Sequence, residues 1–92
     1  MRIHQFEWDD GNEPHIELGH GVAPEEAEQV LAAHPFIRRA KHERYVALGP
    51  SVAGRLLTIV FQYKGAGLAR VITGWDMSQA ERRYYRDRSR NR

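Results

Sequence analysis

The stretch Gly54–Met77, GRLLTIVFQYKGAGLARVITGWDM, is the part of the chain that reads as sheet interior on both sides. Leu57, Ile59, Phe61 and Tyr63 recur at a period of two on one face, while Leu56, Val60 and, beyond the turn, Ile72 populate the other. A strand apolar on both faces belongs in the middle of a sheet. Lys64–Gly67, KGAG, supplies two glycines for a hairpin turn, and β-branched residues resume from Leu68 to Thr73. The organising element is therefore a hairpin, with Arg55 at its start, Lys64 at its tip and Arg70 inside the apolar run of its second strand.

Outward from the hairpin, Ile3 to Trp8 alternates as a first strand. Asp10 or Asn12 caps a short helix through Leu18, with Pro14 tolerated in its first turn and Gly19 and Gly21 ending it. Val22 to Ala33 reads as a second helix, with Pro24 at its first position, Glu25 and Glu26 at its positive end, and Ala27, Val30, Leu31 and Ala33 as the buried stripe. His34-Pro35 stops it. Phe36-Ile37 and Arg44–Leu48 suggest two short strands around a polar turn, Arg39 to Glu43, and Gly49-Pro50-Ser51 turns into the hairpin. After the hairpin, Asp76 or Ser78 can cap a last helix, Ser78 with Glu81 three residues on making a capping box, and that helix buries Met77, Ala80, Tyr84 and Tyr85 and holds to about Arg86. Residues 87–92 have nothing to bury and read as a frayed basic tail. The whole is a single α+β domain over residues 1–92, with a mostly antiparallel sheet of four to five strands, two helices in the N-terminal half and one at the C-terminus.

Composition narrows the function classes. Ninety-two residues bury a modest core and leave no room for a second catalytic domain. The absence of cysteine excludes disulfides, thiolate zinc sites and cysteine nucleophiles, and agrees with a reducing cytoplasm. No signal-like or membrane-spanning apolar run is present, so a soluble cytoplasmic protein with no membrane partner is expected. His15 and His20 invite a metal reading, but their spacing suits one helical face poorly and no carboxylate or cysteine completes a set, so no metal is expected. The net charge of +2 is unevenly spread: residues 1–79 hold 8 Lys and Arg against 10 acids, and residues 80–92 hold 6 Arg against Glu81 and Asp87. That basic end, Arg82 and Arg83 included, suits phosphate or an acidic partner, or is simply a solvated helix end.

The order and spacing of several short motifs resemble the BrnT toxins of bacterial type II toxin–antitoxin systems. They are Phe6-Glu7-Trp8-Asp9, Asn12-x-x-His15, His20-Gly21-Val22, Pro24-Glu25-Glu26-Ala27, Arg44-Tyr45 with Leu48-Gly49, Gly54-Arg55-Leu56-Leu57, Arg70-Val71-Ile72-Thr73 and Glu81-Arg82-Arg83-x-Tyr85. The resemblance covers Phe6 to Arg86 and implies a RelE-like ribonuclease domain without a cofactor. It also implies RNA as substrate and a cognate BrnA-like antitoxin of ribbon-helix-helix type as partner in a hetero-oligomer. The chain departs from the family where an acid–arginine pair usually ends the strand before the turn, here Tyr63-Lys64. It departs again where a small residue and an arginine close the last strand, here Gly74-Trp75.

Metal-free RNA cleavage needs a base for the 2′-hydroxyl, cations at the phosphate and an acid for the leaving oxygen. His42 or Glu43 could exchange the proton, Arg55, Arg70 and Lys64 could hold the phosphate, Arg44 could add a further cation, and Trp75 and Tyr63 could stack a base. Each has an ordinary alternative: packing for Trp75 and Tyr63, a surface turn for His42, a solvated head for Arg55. Arg70 is the least ordinary, since an unpaired arginine in an apolar strand is costly. Three functions fit: a ribonuclease toxin that inhibits translation, a catalytically weakened relative that binds antitoxin or nucleic acid without cleavage, and an interaction protein with a basic tail.

Overall fold

The computed structural model describes residues 1–90. Its elements run β1 (Gln5–Glu7), α1 (Glu13–His20), α2 (Pro24–Ala32), β2 (Phe36–Arg39), β3 (Tyr45–Pro50), β4 (Leu56–Gly65), β5 (Leu68–Asp76) and α3 (Gln79–Arg90). The five strands form one sheet in the order β1-β5-β4-β3-β2, antiparallel except that β1 runs parallel to β5. The α+β class with a mostly antiparallel sheet is thus as expected, and the doubly apolar β4 is the central strand.

One face of β4 carries the core. Leu57, Ile59 and Phe61 are completely buried together with Ile16 of α1 and Ala27, Val30 and Leu31 of α2. Burying each such β4 side chain is worth about 1.5–3 kcal/mol. The second face, with Leu56 and Val60 half-buried, is met by α3, which lays Tyr85 edge-on against Phe36 and places Tyr84 beside Arg38. A register shift opposite Val60 and Phe61 leaves Ile72 without a cross-strand partner. That bulge puts Gly74 in the core opposite Ile59 and Trp75 on the second face opposite Thr58, an outcome that simple alternation does not predict.

Several boundaries differ from expectation. Gly19 does not end α1, which runs on to His20 and stops at Gly21, the residue with the left-handed φ of 67°. Asn12 makes no side-chain cap. It is buried instead, donating to the carbonyls of Glu7 (2.9 Å) and Val71 (2.8 Å) and accepting from the Asp9 amide (2.8 Å), so it stitches the β1–α1 turn to β5. Ala23 cannot cap α2, and Glu26 does so by accepting the Ala23 N–H at 3.0 Å. The C-terminal helix extends past Arg86 to Arg90, with Arg88 4.9 Å over the ring of Tyr84 one turn earlier. Of the expected tail, residues 91 and 92 lie outside the described residues. The anticipated Ser78–Glu81 capping box is present, with Glu81 N–H to Ser78 Oγ at 3.1 Å and Ser78 N–H to Glu81 Oε1 at 2.9 Å.

Candidate functional site

Two turns meet at one end of the sheet. The β2–β3 turn is closed by the Ala40 N–H donating to the Arg44 carbonyl at 2.8 Å, and it holds His42 (φ 62°) and Glu43 (φ 58°) consecutively in the left-handed region. Neither is glycine, and such backbone strain gathers at functional sites. The neighbouring β4–β5 hairpin turns through Gly65, Ala66 and Gly67, all at positive φ. Gly67 admits no side chain, since a Cβ there would fall 2.2 Å from His4 Nε2.

Between the turns lies a cleft of about 340 Å³ lined by Arg39, Glu43, Tyr45, Gln62, Tyr63 and Lys64. Its aromatic wall is held from behind: Tyr45 stacks on the core residue Phe61 at 5.7 Å, and the Tyr63 hydroxyl accepts the Gly67 N–H at 2.8 Å. Arg39 lies 5.9 Å over the Tyr45 ring. Among the described residues, Glu43, Lys64 and Arg39 take part in no ion pair, so a carboxylate and two cations stand available in one cleft. Arg44 follows Glu43, half-buried, with its Nε enclosed and without a hydrogen-bond partner.

Of the residues singled out from sequence, Glu43, Tyr63 and Lys64 are brought together. The other candidate catalytic groups are not. Arg55 sits at the opposite end of β4, nine residues from Lys64, or roughly 30 Å at about 3.3 Å per residue. Its guanidinium forks onto Asp76 (2.8 and 2.9 Å) and reaches Glu26 Oε1 (2.9 Å) and the Gly21 carbonyl (3.0 Å). The Asp76 hydrogen bonds raise the Arg55 pKa above its ordinary value, and those from Arg55 lower that of Asp76. Arg55 thereby ties α1, α2, β4 and β5 together.

Arg70 is equally committed. It binds both carboxylate oxygens of Asp9 (2.8 and 3.0 Å) and Glu7 Oε1 (2.9 Å), so its charge is met by two acids at the surface rather than offered to phosphate. The hydrogen bonds from Arg70, reinforced by the Gly11 amide, hold the Asp9 carboxyl down at about 2. Trp75 is a packing residue: its Nε1 donates to Glu81 Oε1 at 3.0 Å and its ring meets His20 edge-on at 6.1 Å. His42 shares the strained turn but does not line the cleft. Arg82 and Arg83 line a separate hollow of about 540 Å³ with Met77, Gln79 and Arg86, where Arg82 Nε donates to the Met77 carbonyl at 3.4 Å.

Arg39, Tyr45 and Gln62 were not anticipated as site residues. The alternation of β2 and β3 carried a signal for the first two, because Arg39 and Tyr45 are cross-strand partners at the turn end of the pair. Among the described residues, no group of three or more His, Asp or Glu is placed to hold a metal, and no helix is long and apolar enough to cross a membrane.

None of the curated proteins matches the chain. Among solved structures it is similar to the ribonuclease toxin BrnT of Brucella abortus, with a TM-score of 0.64 and 21% identity over 86% of this chain and 99% of that one, a likeness of fold. The family model described as "Ribonuclease toxin, BrnT, of type II toxin-antitoxin system" matches residues 8–81. That span takes in α1 to β5, both turns and every residue lining the Lys64 cleft, and the chain belongs to the BrnT family of ribonuclease toxins.

Proposed function

We propose that this chain is a metal-independent endoribonuclease acting at the Lys64 cleft, the toxin of a type II pair that slows translation in the cytoplasm until a BrnA-like antitoxin neutralises it. The observation that carries this reading is the convergence of Glu43, Lys64 and Arg39, none of them paired with another charge among the described residues. In the scheme, the Glu43 carboxylate takes the proton of a 2′-hydroxyl, whose oxygen attacks the adjacent phosphorus. The bond to the 5′-oxygen breaks, leaving a 2′,3′-cyclic phosphate. Arg39 offsets the charge growing on the phosphoryl oxygens, and the Lys64 ammonium gives its proton to the departing 5′-oxygen. Tyr63, its hydroxyl held by the Gly67 N–H, presents a ring against which a base can stack.

The test is cleavage of RNA by the purified chain, with and without EDTA. Wild type should cleave equally in both. Glu43→Gln and Lys64→Ala should each slow cleavage about 10²–10³-fold with unchanged melting temperatures, since one general base or one charge-stabilising donor contributes on that scale. Loss of cleavage in EDTA, or full activity in either variant, would sink the scheme. The weakened-relative reading keeps one support: Trp75, where the family usually places an arginine, is tied to Glu81 and His20. Wild-type protein that binds RNA at the cleft without cutting it would establish that reading instead.

A further inference from the structure

The cleft lies at one end of an exposed sheet edge whose two consecutive arginines face opposite ways. Among the described residues, β2 is the last strand of the sheet and no strand lies beyond it. Arg39, paired with Tyr45, projects to the cleft side, and Arg38, paired with Val46, projects to the α3 side. Each guanidinium is laid against an aromatic ring: Arg39 over Tyr45 at 5.9 Å, Arg38 over Tyr84 at 5.1 Å. Arg88 joins Arg38 over the same Tyr84 ring at 4.9 Å.

This is a different way of ordering an arginine from that used at Arg55 and Arg70. Those two are ordered by carboxylates, which consume their charge. A ring restrains the guanidinium while leaving its charge and its N–H donors free for a ligand. Among the described residues, Arg38, Arg39 and Arg88 have no acidic partner. The sequence charge is segregated in the same sense: residues 1–28 hold Arg2 alone against eight acids, and residues 29–92 hold thirteen Lys and Arg against four acids.

We infer that the β2 edge is a guide for single-stranded RNA, which passes from the Lys64 cleft over Arg39, around the edge to Arg38, and on to Arg88 of α3. The inference rests on the ribonuclease reading and extends it to the form of the substrate. A strand that touches both arginines must bend around a sheet edge, which a flexible single strand can do and a stiff duplex cannot.

The probe is a 2′-O-methyl oligouridine of about 12 nucleotides, within the span such single-strand sites cover and unable to be cut because its attacking hydroxyls are blocked. Fluorescence anisotropy of the intact chain should show at least about tenfold tighter binding to this strand than to its duplex or to a version of about 4 nucleotides. Arg38→Gln and Arg88→Gln should each weaken binding severalfold and reduce the slope of log affinity against log salt by about 0.7. Arg38→Lys, which keeps the charge, should restore that slope, and Arg2→Gln on the acidic side should leave binding as in wild type. Equal binding of duplex, indifference to length, or an unchanged slope in Arg38→Gln would overturn the guide. Displacement of the RNA by polyglutamate of matched charge at comparable concentration would assign the edge to an acidic protein surface and overturn it too. Because the probe cannot be cleaved, binding and cleavage are read separately, and failure here overturns the guide while leaving the ribonuclease reading standing.

Discussion

Replacing Arg55 with alanine tests whether this guanidinium is structural, as its contacts imply, or a phosphate clamp. Four hydrogen bonds disappear: two to Asp76, one to Glu26 and one to the Gly21 carbonyl. The Arg55 side chain is 30% exposed, Glu26 25% and Asp76 55%, so solvent screens the pairs and their Coulomb energy must be discounted. The bidentate Asp76 pair sits at the top of the exposed range, about 1 kcal/mol. Glu26 and the carbonyl of Gly21 add about 0.5–1 kcal/mol each. The total is about 2–3 kcal/mol, which in a domain of this size lowers the melting temperature by about 10–20 °C. Urea unfolding measures the first quantity and a thermal scan the second. A double-mutant cycle with Asp76→Asn should return a coupling of about 0.5–1 kcal/mol. Below its melting temperature the variant should still cleave RNA, because the cleft lies at the other end of β4. A variant that melts like wild type but no longer cleaves would refute the assignment and return Arg55 to the catalytic groups.

Other perturbations separate strain, packing and charge. His42→Gly and Glu43→Gly should each stabilise the fold by about 0.5–1 kcal/mol by relieving left-handed strain, measured in urea, while only Glu43→Gly abolishes cleavage; equal loss in both would place His42 in the chemistry. Gly74→Ala should cost about 1–3 kcal/mol through overpacking, since its Cβ would stand 2.7 Å from Ile59 Cδ1 and 3.2 Å from Ile16 Cδ1; a neutral result would mean that α1 shifts freely on β5. The Asp9 carboxyl should titrate near 2 by NMR and move back toward 3.8 in Arg70→Ala. Its folded pKa is the depressed one, so the pairing supports the fold above about pH 4 and is lost as pH falls toward 2. An Asp9 midpoint unmoved by Arg70→Ala would show that the ion pair does not form in solution.

Much of this architecture was legible in the linear chain because it depends on neighbours. Period-two apolarity marked β4 as central, glycines marked the hairpin, and Ser78 with Glu81 marked the start of α3, since each is set by residues within a few positions. The family motifs were legible for the same reason, and much of what they record is structural. Asn12 links the β1–α1 turn to β5, Arg55 gathers four elements, and Arg70 binds Glu7 and Asp9. Tertiary structure alone decided which charges are free. Glu7 and Asp9 lie more than sixty positions before Arg70, and the parallel pairing of β1 with β5 that brings them together leaves no periodic trace in a three-residue strand. A cation's availability depends on every acid that folding brings within hydrogen-bonding reach. The same residue type is therefore tied to carboxylates at 55 and 70, and laid against tyrosine rings at 38 and 39.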